Sequence, residues 1–259
     1  MIRIVSVIVF SCIPLHLSSQ IRLERLELKS KQEYKIAGSD ILVVDTLIMR
    51  DSSRITLNKL VKENIINIKV AIIGRGCLIF GKGANGESAK TARSGNQQNG
   101  PCKEGGAGEK GNNGLAGIDG ISLSLYLGVL KINGALTVDL NGGDGGNGGK
   151  GGIGGDGGSG TRVCRGGNGG NGGNGGNGNS GGAGGNLVIS CKSCIDFHRK
   201  QVENFIIKTY GGFRGNAGEG GAGGRAGLGP IQDGKNGVRG IAGTNGSPGK
   251  TGAFRFEQK

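Results

Sequence analysis

Glycine recurs at every third position through long stretches of this chain, and that period restricts the fold more than any other feature. Residues 142–185 read largely as Gly-Gly-X, with Asn the commonest X, interrupted by the sequence TRVCR. A period of three fits neither an α-helix nor a β-strand. It fits the extended left-handed helix with 3 residues per turn and a rise of about 3.1 Å. In that helix each of the three triplet positions forms its own line of residues, or ridge, and two of the three ridges carry only glycine. Because these two ridges have no side chains, neighbouring segments could approach until their backbone groups pair.

Three structures are compatible with this period: a bundle of polyglycine-type helices within one chain, glycine-rich disorder, and a trimeric collagen-type triple helix. Collagen-like chains also need about 15–20% Pro or hydroxyproline. This chain has 60 Gly but only 4 Pro, and strand-like blocks interrupt its short glycine runs. Two glycines per triplet also exceed what a triple helix requires. We therefore favour antiparallel polyglycine-type helices that fold back within one chain, and we retain the other two structures as alternatives.

The N-terminus has the pattern of a secretory signal over residues 1–19. Arg3 precedes an apolar run, and the small residues Ser18 and Ser19 come before Gln20. A lipoprotein anchored at Cys12 is a minor alternative, because it would leave a very short signal. No stretch is long enough to cross a membrane as a helix. These features predict a secreted or cell-surface protein.

Residues 20–80 predict a β-rich, solenoid-like region. Short β-branched segments alternate with polar turns such as Arg50-Asp51-Ser52-Ser53 and Gly74-Arg75-Gly76. Their close and even spacing favours a β-solenoid or a small sandwich. Residues 20–31 alternate apolar and charged side chains, which favours a strand over a helix.

The remainder divides into an irregular loop, residues 81–107, and a Gly-rich repeat region, residues 108–259. Glycine runs are expected at 108–120, 142–185, 211–229 and 234–252, with strand blocks at 121–140 and 186–210. The two blocks and the runs that follow them align at an offset of 69 residues. About three copies of strands followed by a glycine run are therefore present, as in repeat proteins that share one continuous core. A final short strand at Ala253–Phe256 would pair back and fix the C-terminus.

The pattern resembles the Gly-rich "collagen-like" proteins that many bacteria secrete. The signal-like start, the blocks LSLYLGVLKINGALTVDLNGG and LVISCKSC, and the GGNGGNGG tracts carry this resemblance. A similar construction occurs in polyglycine II helical-bundle proteins, including some antifreeze proteins and phage adhesin tips. The resemblance implies a fold type and an extracellular site, and no activity. The expected fold is mainly β and extended: a β-solenoid-like N-terminal part followed by a polyglycine II helix bundle with interleaved short strands.

Five cysteines follow the signal, and disulfides are their expected state in a secreted protein. We hypothesise the pairs Cys77–Cys102 and Cys164 with Cys191 or Cys194, at junctions between strands and glycine runs. Cys191 and Cys194, with His198 as a third ligand, resemble half a zinc site, but one CxxC pair is a weak signal. Residues 151–159 match a calcium-binding repeat only in part, as the triplet period does by chance. No cofactor is expected.

The Asn ridge, formed by Asn168, Asn171, Asn174 and Asn177, is the most suggestive surface. A helix of three residues per turn would space its amides about 9.3 Å apart in a line. Such a ridge either keeps the segment soluble or offers a repetitive surface to a glycan, to ice or to another copy of the chain. Ice-binding faces usually carry small apolar or Thr side chains, which this ridge lacks.

These features argue against an enzyme and for a structural or adhesive role. After the signal, the chain has a single histidine, no G-x-S-x-G elbow, and scattered carboxylates. The net charge of +13 permits attraction to surface glycans or other polyanions, although the basic residues are spread over the whole chain. No specific nucleic-acid partner is expected. The function predicted is a non-enzymatic, secreted Gly-rich repeat protein; the alternatives are a glycan- or polyanion-binding module and, less favoured, an ice-binding protein.

Overall fold

Parallel strands form two sheets in this protein, for which we analysed a computed structural model. The structure describes residues 20–98, 100–193 and 204–258, and no helix occurs among them. In chain order the strands are β1 (Ile21–Leu28), β2 (Glu33–Lys35), β3 (Ile41–Met49), β4 (Arg54–Thr56), β5 (Glu63–Ile73), β6 (Cys77–Phe80), β7 (Ser122–Ile132), β8 (Leu136–Asp139), β9 (Leu187–Ser193), β10 (Phe205–Lys208) and β11 (Phe254–Gln258).

Successive strands alternate between the two sheets. The odd-numbered strands form one sheet in the order β1-β3-β5-β7-β9-β11, which we call the first sheet. The even-numbered strands form the second sheet, in the order β10-β8-β6-β4-β2. All neighbours are parallel. The predictions of a mainly β chain and of a final strand that pairs back are confirmed, because β11 pairs with β9.

The core lies between the sheets and consists of aliphatic ladders. Period-2 alternation in β3, β5 and β7 directs every second side chain inward. In the first sheet Leu42, Ile66 and Leu125 lie side by side in register, and all are at most 1% exposed. Ile55, Ile79 and Val138 form the matching ladder of the second sheet. Burying each such side chain contributes roughly 1.5–3 kcal/mol, so the ladders fix the register of the stack.

The strands of the first sheet change their pleat at one common level. In β3 the inward residues are Val44 and Leu47, so that two residues rather than one lie between them. The same step occurs in β5 at Lys69 and Val70, and in β7 at Gly128 and Val129. The strands keep one-to-one register across this level, so each of them has two consecutive residues between its inward side chains at the same height.

Six glycine segments leave the strands and return to them in the described part of the chain. We number them in chain order: first (81–98), second (105–121), third (141–160), fourth (166–185), fifth (211–228) and sixth (234–252). The first, third and fifth follow strands of the second sheet, and the others lead back into strands of the first sheet. The segments therefore extend the two sheets as two layers.

Backbone hydrogen bonds join each segment to its neighbours at every third residue. Within a layer the segments are parallel, as where Gly142 N–H donates to Tyr210 O and Gly145 N–H to Phe213 O, at 2.9 and 2.8 Å. Between layers they are antiparallel: Gly170 N–H donates to Gly155 O and Gly173 N–H to Gly152 O, both at 2.8 Å. These bonds satisfy glycine-rich backbone that buries almost no side chain.

The number of glycines per triplet follows the number of neighbouring segments. The third and fourth segments bond to four others, the second and fifth to three, and the first and sixth to two. The third has two glycines per triplet, as does the fourth except at Gly178-Asn179-Ser180, whereas the first and sixth have at most one. Most positions that face a neighbour's backbone in the third and fourth segments are glycine, because an added Cβ there would overlap a carbonyl oxygen, as one at Gly173 would overlap that of Glu109.

Two sequence expectations differ from this arrangement. Residues 81–107 were expected to be an irregular loop, but the first segment donates regularly from Gly83, Gly86, Ala89, Ala92 and Gly95 to the third segment. Ala at two of these positions is tolerated, because the first segment lies at the edge of its layer. The run expected at 142–185 is two antiparallel segments, separated by a turn at residues 161–165.

Candidate functional surface

The Asn ridge lies on the fourth segment and faces the sixth. The side-chain Oδ1 atoms of its four residues accept backbone N–H bonds at 2.9 Å. The donors, in order, are Lys235, Val238, Ile241 and Thr244. Asn171, Asn174 and Asn177 nevertheless remain exposed. One atom of each amide therefore joins the fourth segment to the sixth, and the binding role of the ridge stays a prediction.

The same bond recurs between the third and fifth segments. Asn141, Asp144, Asn147 and Asp156 accept N–H bonds from Tyr210, Phe213, Asn216 and Arg225 at 2.7–2.8 Å. The partners in each pair are separated by 69 residues, which is the repeat offset seen in the sequence. The offset thus marks lateral neighbours within one layer. Asp156 belongs to the partial calcium motif, and here its carboxylate accepts a hydrogen bond from the backbone of the fifth segment.

Cys102 and Cys164 form a disulfide, with a sequence separation of 62 residues. Cys102 lies between the first and second segments, and Cys164 in the turn between the third and fourth. The bond joins two adjacent turns at the ends of the glycine segments far from the sheets. The hypothesised pairs Cys77–Cys102 and Cys164 with Cys191 or Cys194 are therefore wrong, because Cys102 and Cys164 are bonded to each other.

The other cysteines differ in their surroundings. Cys77 is a free thiol, buried in β6, with its Sγ 3.3 Å from the carbonyl oxygen of Arg50. Cys191 is buried and disulfide-bonded, so its sulfur is not a free zinc ligand. Cys12, Cys194, His198 and the signal-like residues 1–19 lie outside the described residues. No group of three or more potential metal ligands occurs among residues 20–98, 100–193 and 204–258.

The far turns expose basic and apolar side chains. In the turn at 161–165, Arg162 and Arg165 are exposed, and Val163 is 90% exposed. Ile231 is 59% exposed in the turn between the fifth and sixth segments. Sequence reasoning did not single out these residues, because their grouping depends on which segments are adjacent.

Carboxylates near the N-terminal turns are paired with arginines. Asp51 accepts the backbone N–H of Arg75 at 2.9 Å and its guanidinium at 3.0 Å, and both bonds, the backbone one first, lower the pKa of Asp51 below its usual value. Arg25 and Arg50 hydrogen-bond Glu27 and lower its pKa likewise. The Asp51–Arg75 pair joins two successive turns, and the Glu27–Arg50 pair joins β1 to the turn after β3.

Comparison with known proteins adds little. No protein-family model and no curated protein matches the chain. One solved structure, a springtail antifreeze protein from Granisotoma rainieri described as a nine polyproline type II helical bundle, is 28% identical over an alignment that covers 60% of this chain and 98% of that one. Its TM-score is 0.09, which does not show a shared fold. No helix able to span a membrane occurs among the described residues.

Proposed function

We propose that this chain is a secreted, non-enzymatic structural protein that acts as a rigid, adhesive element at or outside the cell surface. In this proposal the two sheets form a β-solenoid and the six glycine segments form a polyglycine II helix bundle that projects from it. The hydrogen bonds at every third residue between adjacent segments are the observation that carries it.

The physical argument concerns stiffness. Isolated glycine-rich chains are flexible coils. Each of these segments is instead bonded on two to four sides, and a disulfide joins two of the far turns. A polyglycine-type segment of this length spans roughly 60 Å at about 3.1 Å per residue. Such a bundle holds its far turns at a fixed distance from the sheets, which suits a spacer that presents an adhesive end.

The experiment tests both the cellular location of the protein and the stiffness of its glycine segments. Intact source cells are treated with an antibody to the protein and with external protease, and the purified chain is measured by small-angle scattering and amide exchange. We expect surface labelling, an elongated particle, and glycine amides protected throughout the segments. Retention of the protein inside the cell would contradict the location, and rapid exchange of the segment amides would contradict the rigid bundle.

Binding of a surface glycan or another polyanion is the second candidate. It is favoured by the net charge of +13 and by the exposed Arg162 and Arg165 at the far turns. Retention on a heparin column that falls with added salt and with the Arg162→Gln/Arg165→Gln double variant would support it. Ice binding is less favoured, since the Asn ridge uses its carbonyl oxygens within the bundle; an ice-recrystallisation assay tests it.

A further inference from the structure

A groove with a volume of about 300 Å³ opens on the outward face of the first sheet, at the level where β5 and β7 have two consecutive residues between inward side chains. We call it the Gly128 groove. It crosses three adjacent strands and lies outside the glycine segments. Its polar and charged lining comes from Asn67 and Lys69 of β5, Tyr126 of β7, and Ser190 and Lys192 of β9.

Gly128 on the central strand creates the groove. Strand β7 lies between β5 and β9, and neighbouring strands are about 4.8 Å apart. With no side chain at residue 128, nothing from the central strand fills the space between Lys69 and Lys192. The glycine is also required, because an added Cβ would overlap the carbonyl oxygen of Lys69.

The burial of the Ser190 hydroxyl is the observation that favours a ligand in the groove. Its side chain lines the groove, yet the residue is only 4% exposed. Its hydroxyl has no hydrogen-bond partner among the described residues, and a buried polar group without a partner lowers stability. A hydroxyl or carboxylate of a bound molecule would supply the missing partner.

The charges of the groove select an anion. Lys69 and Lys192 are exposed, and neither forms an ion pair with another described residue. Among the described residues, the strands that flank the groove carry two carboxylates level with it: Asp45 of β3 lies opposite Lys69, and Glu257 of β11, which pairs in register with Ser190, is bonded to Arg255 at 2.9 Å. The described lining of the groove contributes two ammonium groups and no carboxylate.

The remaining lining suits a sugar ring. Tyr126 is 38% exposed and offers an aromatic face beside the lysines. Asn67 and Ser190 supply amide and hydroxyl groups that can both donate and accept. The volume lies at the small end of the range for ligand sites. We propose that the Gly128 groove binds an acidic saccharide unit, a pyranose ring that carries a carboxylate, with the carboxylate between Lys69 and Lys192.

This inference does not depend on the structural role proposed above. A rigid spacer remains one whether or not its sheet binds a sugar, and the groove would persist if the segments proved flexible. Recognition of an acidic sugar on the sheet would add a specific contact to the general attraction of a basic chain.

The test is a titration of the ¹⁵N-labelled chain with three probes, followed through its amide resonances. Glucuronate carries the ring and the carboxylate, glucose the ring alone, and acetate the carboxylate alone. We expect saturable shifts at Gly128 and Ser190 with glucuronate, and at least about tenfold weaker effects with either control. Equal binding of glucose, or the absence of shifts at these amides, would overturn the proposal.

Variants separate the groove from overall charge. The Lys69→Gln/Lys192→Gln double variant should bind glucuronate about tenfold more weakly, since each exposed charge pair contributes modestly. Lys131→Gln is the matched control, because Lys131 is also exposed on β7 but lies outside the groove. Ser190→Ala should weaken binding while the spectrum stays that of the folded chain. An equal loss in Lys131→Gln would show nonspecific attraction and overturn the site.

Discussion

At the scale of single residues, glycine in the segments is required for space rather than for unusual backbone angles. Among the described glycines only Gly38 and Gly76 have a positive φ. Those of the third and fourth segments lie so close to neighbouring backbone that a Cβ would overlap a carbonyl oxygen. Their substitution should therefore cost more than the propensity difference between glycine and alanine.

Gly173→Ala tests this requirement. The new methyl group would overlap the carbonyl oxygen of Glu109 and force two segments apart, so we expect a loss of roughly 1–3 kcal/mol in the free energy of unfolding. Gly100→Ala is the control, because its Cβ would meet only the flexible side chain of Lys103, at 3.3 Å. Denaturant unfolding measures both. A similar small cost at the two sites would mean that the segments are not packed as closely as described.

Asn174→Ala tests the structural part of the Asn ridge. The substitution removes the acceptor for Ile241 N–H, and a typical hydrogen bond of this kind contributes about 1 kcal/mol. We expect faster amide exchange at Ile241 and a loss of stability of that order. Asn112→Ala is a matched control, because Asn112 is exposed and its side chain bonds no described residue. Unchanged amide exchange at Ile241 would show that the Asn ridge does not stabilise the segments and is only a solvated surface.

Asp51 gives the N-terminal turns a defined pH dependence. Its pKa is lowered in the folded chain by the Arg75 backbone and guanidinium bonds, so the ionised form stabilises folding. That contribution is complete above the ordinary value of 3.8 and is lost as pH falls through the lowered pKa. The melting temperature of the wild type should exceed that of Asp51→Asn at pH 6, and the two should converge near pH 2. A constant difference across this range would contradict the pairing.

At the scale of elements, the sequence predicted the strands better than the segments. Alternating aliphatic residues defined β3, β5 and β7, because one face of each strand is buried. The first segment was missed, since at an edge Ala89 and Ala92 can replace glycine and the period fades. The disulfide was mispaired for a related reason. Which turns meet depends on the order of segments within the layers, and that order is a property of the whole stack.

The Cys102–Cys164 bond connects two hairpins of the bundle at their far turns. A crosslink across 62 residues restricts the unfolded chain by about 4 kcal/mol in the chain-entropy description. The Cys102→Ser/Cys164→Ser variant should lose stability of this order and keep its strands. Amide exchange would show the loss first at the far turns, and no change in stability would contradict the bond. The double variant is preferable to reductant, because Cys191 is also disulfide-bonded.

At the scale of the whole molecule, glycine segments and sheets form one continuous stack. Each segment continues a strand outward or leads back into one, so the aliphatic ladders that set the strand register also set the register of the segments. The ladders provide the apolar burial that the glycine segments lack. This coupling explains how a backbone with a high entropic cost of ordering can be held in a regular array.

The dependence of the melting temperature on protein concentration separates the intrachain arrangement from the trimeric triple helix. Every segment bond described here lies within one chain, so the melting temperature should not change over a hundredfold dilution, as it would for an assembling trimer. We also expect resistance to bacterial collagenase and a solution mass of one chain. The Gly173→Ala variant serves as the control for protease access, since it should open the segments without changing the glycine period elsewhere. A trimeric mass with concentration-dependent melting would show that chains pair with each other, and the intrachain bundle would then be wrong.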